Sequence, residues 1–77
     1  MWKEGAFMMP LSMANIGEKV VIKRINGRDE IKIHLAELGF IPDSEVMIVN
    51  KVGKNFILQV KESRIAIDDS MANRIMI

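Results

Sequence analysis

Seventy-seven residues without a single cysteine leave this chain one means of holding itself together, an apolar core. No disulfide framework, thiolate zinc site or redox thiol is open to it. A domain of this size hides only about 60% of the surface its unfolded chain exposes, so the core must be used efficiently. Hydrophobic residues make up 49% of the sequence, and twelve Ile and six Val outnumber four Leu. That β-branched excess predicts short strands rather than a helical bundle. So much apolar content at a net charge of +1 also excludes disorder.

The charge balance narrows the function. Eleven Lys and Arg against ten Asp and Glu lack the basic excess of a strongly electrostatic nucleic-acid binder. No run approaches the roughly 18 apolar residues of a membrane span. The stretch Met1–Leu11 is broken by Lys3, Glu4 and Gly5 and lacks the apolar core of a signal peptide. A cytoplasmic protein is therefore expected, with residues 1–9 as a tail and 10–77 as one folded domain.

Along that domain the signals are short and closely spaced. Ser12 is placed to cap a single helical turn that ends near Asn15-Ile16-Gly17. Lys19–Ile25 alternates with a period of two and predicts the first main strand. Asp29 is the expected N-cap of a helix on which Ile31, Leu35 and Leu38 share one face. Gly39 stands where a helix needs a left-handed residue, and Phe40 and Ile41 pack back before the turn Pro42-Asp43-Ser44. Glu45–Val52, Phe56–Lys61 and Arg64–Ile67 read as further strands. Val49 breaks the alternation of the first of these and predicts either burial on both faces or a bulge. Asp68 or Asp69 caps a last turn through Met71 and Ala72, and Ile75 with Ile77 closes the pattern. The expected fold is mainly β: a small, partly closed barrel of about five short strands, with one short helix after the first main strand; an open α+β sheet with the helix on one face is the alternative.

Catalytic and metal chemistry find little support. His34 is the only imidazole, and a lone ligand without Cys or a second His makes no recognisable transition-metal site. Asp29-Glu30 and Asp68-Asp69 fit helix starts better than calcium spacing. Met8, Met9 and Met13 lack the supporting His or Cys of a soft-metal site and read as gap fillers. Ser12, Ser44, Ser63 and Ser70 all fall at turns or caps, and Gly17, Gly27, Gly39 and Gly53 are too far apart for a phosphate loop. Lys19, Lys23, Arg24, Arg28 and Lys32 give the first half a local basic bias without aromatic interleaving. A solvated or protein-docking face is the reading this favours over nucleic acid.

Pro10-Leu11-Ser12, Gly17-Glu18, Leu35-Ala36-Glu37-Leu38-Gly39-Phe40-Ile41-Pro42, Glu45-Val46, Arg64-Ile65-Ala66-Ile67 and Met71-Ala72 to Ile75 together resemble the FeoA family. The resemblance covers about Pro10 to Ile77 and is strongest at Leu-Gly-Phe-Ile-Pro followed by Glu-Val. It implies an SH3-like barrel with an early inserted helix, and a non-enzymatic cytoplasmic accessory protein of bacterial ferrous iron uptake. It also implies a partner, the membrane transporter FeoB with its cytosolic GTPase domain, and no cofactor. Leu38, Gly39, Phe40, Ile41 and Pro42, with Lys32 and His34, are the expected partner-binding residues. The alternative is a free-standing regulatory SH3-like domain related to the C-terminal domain of iron-dependent repressors. Two positions depart from the family pattern. Asp43 replaces a common glycine and predicts a type I turn, and Lys32-Ile33-His34 replaces a more basic run.

Overall fold

The computed structural model describes residues 8–77. Most of the expected tail, residues 1–7, lies outside the described residues. Met9 exchanges backbone hydrogen bonds with Ile77 in both directions, at 2.8 and 3.0 Å. A 3₁₀ turn over Leu11–Met13 follows, with Pro10 in the extended N-cap position. The expected cap at Ser12 is not formed: Ser12 lies inside the turn, and its hydroxyl donates to Asn73 Oδ1 instead.

Six strands replace the expected five, because the segment Lys19–Ile25 divides. Its first part, β1 (Lys19–Val21), pairs antiparallel with β3 (Glu45–Val52). Its second part, β2 (Arg24–Ile25), pairs with β6 (Ile75–Met76). The change of partner occurs at Ile22, whose N–H donates to Ser44 C=O at 2.9 Å, while Lys23 N–H already reaches Met76 C=O at 2.7 Å. Two consecutive exposed residues, Lys23 and Arg24, mark the break in the in–out alternation. β4 (Asn55–Val60) and β5 (Ser63–Asp68) complete a four-stranded sheet in the order β1-β3-β4-β5. The two sheets meet at the β1–β2 bend, and β5 and β6 do not pair, so the barrel is not closed.

Of the two readings of Val49, the bulge is the one present. Register shifts between Ile48 and Asn50, leaving Val49 as the extra residue. At that irregularity Ile48 C=O accepts from Gly17 N–H at 2.8 Å, which ties the entry segment to the sheet. Leu11, Ile22, Leu35, Phe40, Ile48, Leu58 and Ile75 are all fully buried, and no polar or charged residue joins them in the described core. Loss of any one would leave a cavity in a core that has no other staple.

α1 (Asp29–Glu37) has Arg28 rather than Asp29 at its N-cap position, and no side chain caps it. Asp29 and Glu30 instead place their charges in the first turn, where the helix dipole favours them. Its far end is a full Schellman stop: Phe40 N–H donates to Leu35 C=O and Gly39 N–H to Ala36 C=O, both at 2.9 Å. Gly39 has φ +103°, and a Cβ there would come within 3.1 Å of Val60 Cγ1. The following turn overturns the type I expectation. Ser44 N–H donates to Ile41 C=O at 3.1 Å, and Asp43 at the third position has φ +75°. A positive φ there defines type II, so Asp43 takes up a conformation that glycine enters freely.

α2 (Asp69–Ala72) is capped as expected. Asp68 Oδ1 accepts from Met71 N–H and from Ser70 Oγ, each at 2.9 Å. The Met71 N–H first, and the Ser70 hydroxyl second, hold the Asp68 carboxyl below its ordinary value of 3.8.

Two predictions follow from these termini. Gly39→Ala lowers stability by about 1–2 kcal/mol through the left-handed backbone alone, whereas Asp43→Gly is neutral or raises it by up to about 1 kcal/mol. Denaturant midpoints of the two variants check this pair. Because the Asp68 pKa is depressed on folding, its contribution is present above the unfolded-state pKa and lost as pH falls through the folded-state value. Asp68→Ala therefore unfolds at lower denaturant than wild type at neutral pH, and the two midpoints converge as pH drops below 3.8.

Candidate functional site

The helix stop and the type II turn carry the chain back past β2, and a groove of about 360 Å³ opens between them. Ile25, Ala36, Phe40, Ile41 and Pro42 supply its apolar lining, and Lys23, Arg24 and Lys32 its polar edge. Three cations and no carboxylate line it, so its local field is positive although the chain as a whole is near neutral. The larger depression, about 490 Å³ around Lys19, Asp43, Glu45 and Lys61, mixes both signs and has no such character.

Four of the seven residues expected from the sequence meet in this groove: Lys32, Phe40, Ile41 and Pro42. Their roles differ. Ile41 is 44% exposed and Pro42 is exposed, so both offer surface. Phe40 is fully buried, which corrects its expected place on a contact surface; its ring is the floor under the other two. The reason is the Schellman geometry, which turns the residue after Gly39 back onto Leu35. Leu38 and Gly39 are half-buried and line no part of the groove, and Leu38 packs against the core beside Leu35. His34 is exposed on α1 away from the groove lining.

Ile25 and Ala36 were not expected in the site. Ile25 reads as an ordinary core residue at 7% exposure, and Ala36 as a helix former. Lys23 and Arg24 were legible only as part of a basic bias. Their consecutive exposure is the sequence signal that a strand changes partner here. Among the described residues, no three His, Cys, Asp or Glu side chains converge on a common point.

The FeoA domain model matches residues 9–77. The chain belongs to the FeoA family. Its FeoA domain is similar to a crystal structure of an iron uptake regulatory protein, also an FeoA, at 25% identity with a TM-score of 0.83, covering 91% of this chain and 95% of that one. It is also similar to the zinc complex of Stenotrophomonas maltophilia FeoA, described as a procaryotic SH3 domain protein. That match has 32% identity and a TM-score of 0.76, and covers 87% of this chain and 86% of the other. A manganese-dependent transcriptional repressor shares the fold at 14% identity and a TM-score of 0.79; the match covers 91% of this chain and 40% of the repressor. No curated protein matches the sequence. The match to these FeoA structures gives the chain an SH3-like fold, and the family is one associated with ferrous iron transport. No helix among the described residues is long and apolar enough to cross a membrane.

The difference between Phe40 and Ile41 is directly measurable. Phe40→Ala costs about 3–5 kcal/mol of stability by opening the core. Ile41→Asp, at an exposed position, keeps the wild-type circular dichroism spectrum and shifts the denaturation midpoint by less than a quarter as much.

Proposed function

We propose that this FeoA protein is a cytoplasmic accessory factor that docks on FeoB, the ferrous iron transporter, and regulates it through protein–protein contact. The observation that carries the reading is the family match over residues 9–77. The groove supports it by offering a positive, partly apolar surface built from α1, β2 and the Phe40–Pro42 return. Leu38 and Gly39 hold that return in position, Lys32, Ile41 and Pro42 supply the contact, and Phe40 supports it from below. His34, two residues from both Lys32 and Ala36, lies on the other side of α1 and takes no part in this contact. The S. maltophilia relative is described as a candidate ferrous iron transport activating factor, which is consistent with a regulatory role.

Regulation without chemistry has a strict requirement. An accessory protein shifts a transporter between two states only if it binds them with different affinity. A tenfold difference corresponds to about 1.4 kcal/mol. The measurement is an isotope-edited NMR titration of this protein with the purified cytosolic GTPase region of the cognate FeoB, with and without a GTP analogue. The expected result is a localised set of shifts that includes Lys32, Ala36 and Ile41, with affinity that changes between nucleotide states. Absence of shifts in both states overturns docking on the GTPase region.

A further inference from the structure

The groove is singled out by charge and by backbone geometry together. Lys23, Arg24 and Lys32 line it without any carboxylate. None of the side-chain hydrogen bonds among the described residues engages these three cations. A ligand bearing carboxylates would therefore meet cations that have no competing partner to release.

The strand beside the groove is open on the matching side. Asn26 N–H donates to Arg74 C=O at 2.7 Å, and two residues earlier Arg24 lies opposite Met76 in the same register. In an antiparallel pair, alternate residues turn their N–H and C=O to opposite edges. Ile25, between the two, therefore directs its N–H and C=O away from β6. No residue of β6 lines the groove, and no loop or turn hydrogen bond engages Ile25 among the described residues. Ile25 is thus the one residue of β2 with unused backbone groups beside the groove, since the N–H groups of Lys23 and Asn26 on either side of β2 are taken by Met76 and Arg74. The groove floor offers no stacking face, since Phe40 is fully buried, which disfavours a single-stranded nucleic acid.

We infer that the groove binds an extended acidic segment of a partner protein. The segment runs extended beside β2, pairs with the free N–H and C=O of Ile25, sets an aliphatic side chain against Ile25, Ala36 and Ile41, and places carboxylates beside Lys23, Arg24 and Lys32. Backbone pairing supplies the affinity of strand addition, and the alternate side chains supply its selectivity. This deepens the docking reading above, on which it rests, by stating the chemistry of the partner's contact. The exposed cations set encounter rate and register, so the interaction weakens with salt.

The test uses the full ¹⁵N-labelled chain and three probes: a short peptide alternating Glu and Leu, its counterpart with Lys for Glu, and the FeoB GTPase region. The Glu peptide is expected to shift the amides of Lys23–Ile25, Lys32, Ala36 and Ile41 and to slow exchange of the Ile25 amide. Its affinity should fall by about tenfold between about 50 mM and about 500 mM salt. The Lys peptide should leave the spectrum unchanged. The double variant Arg24→Glu with Lys32→Glu, checked for folding by circular dichroism, should weaken both the Glu peptide and the FeoB region by about tenfold or more. Glu-peptide shifts that fall elsewhere, or an Ile25 amide that stays unprotected, overturn the inference. If FeoB binds equally well to wild type and the double variant, the groove assignment fails while docking stands. If the Glu peptide binds the groove and FeoB binds nowhere, the groove stands and its partner is not the GTPase region. Anionic phosphatidylglycerol vesicles that shift these amides when the Glu peptide does not would replace the protein segment with a membrane surface.

Discussion

Both backbone groups of Ile22 are held by the turn that follows the helix. Its N–H donates to Ser44 C=O at 2.9 Å, and its C=O accepts from Asp43 N–H at 2.7 Å. With its side chain fully buried, Ile22 is fixed on three counts at the point where the chain leaves one sheet for the other. The residue after it pairs with β6. A second tie runs through the entry segment, where Pro10 bridges Met76 of β6 and Ile16 bridges Ile48 of β3, but only at Ile22 does one strand segment pass directly from one sheet to the other. The left-handed backbone of Asp43 belongs to the same arrangement: the type II turn is what brings the 43 and 44 backbone groups level with Ile22.

The groove is a by-product of this arrangement. β2 peels away from β1 to join β6, and the Phe40–Pro42 return runs on the other side, held by the Schellman stop. The gap between them is floored by Phe40 and edged by the side chains that the strand switch leaves facing solvent, Lys23 and Arg24. Lys32 joins them from α1. Three cations accumulate at one place in a chain of near-zero net charge because the strand switch and α1 converge there, not because any one segment is strongly basic. Groove and structural joint are therefore the same place, and core changes that move Phe40 or Ile22 would be felt in the groove.

Much of the fold was legible in local signals. Alternation in 56, 58 and 60 gave β4, the defect at Val49 gave the bulge as one of two readings, and Asp68 gave the cap of α2, each because the governing contact is made within a few residues. Gly39 marked the helix stop for the same reason. Ser12 and Asp29 were misplaced as caps, because the chain preceding each helix already enters in extended geometry at Pro10 and Arg28, and tertiary packing fixed the start without a side-chain bond. Asp43 was misread because the turn type depends on where Ser44 must reach, which lies outside the turn.

The sequence by itself determined the class of fold, the positions of the strands and helix, and the family, since these rest on periodicity, turn chemistry and a contiguous motif. Tertiary structure alone decided which of the motif residues face solvent, that Lys19–Ile25 serves two sheets, and that Lys23, Arg24 and Lys32 share a groove with Ile41. The physical reason is range. Periodicity reports how neighbouring side chains alternate, whereas partner choice of a strand and convergence of charges depend on backbone groups twenty to fifty residues away, which no local pattern encodes.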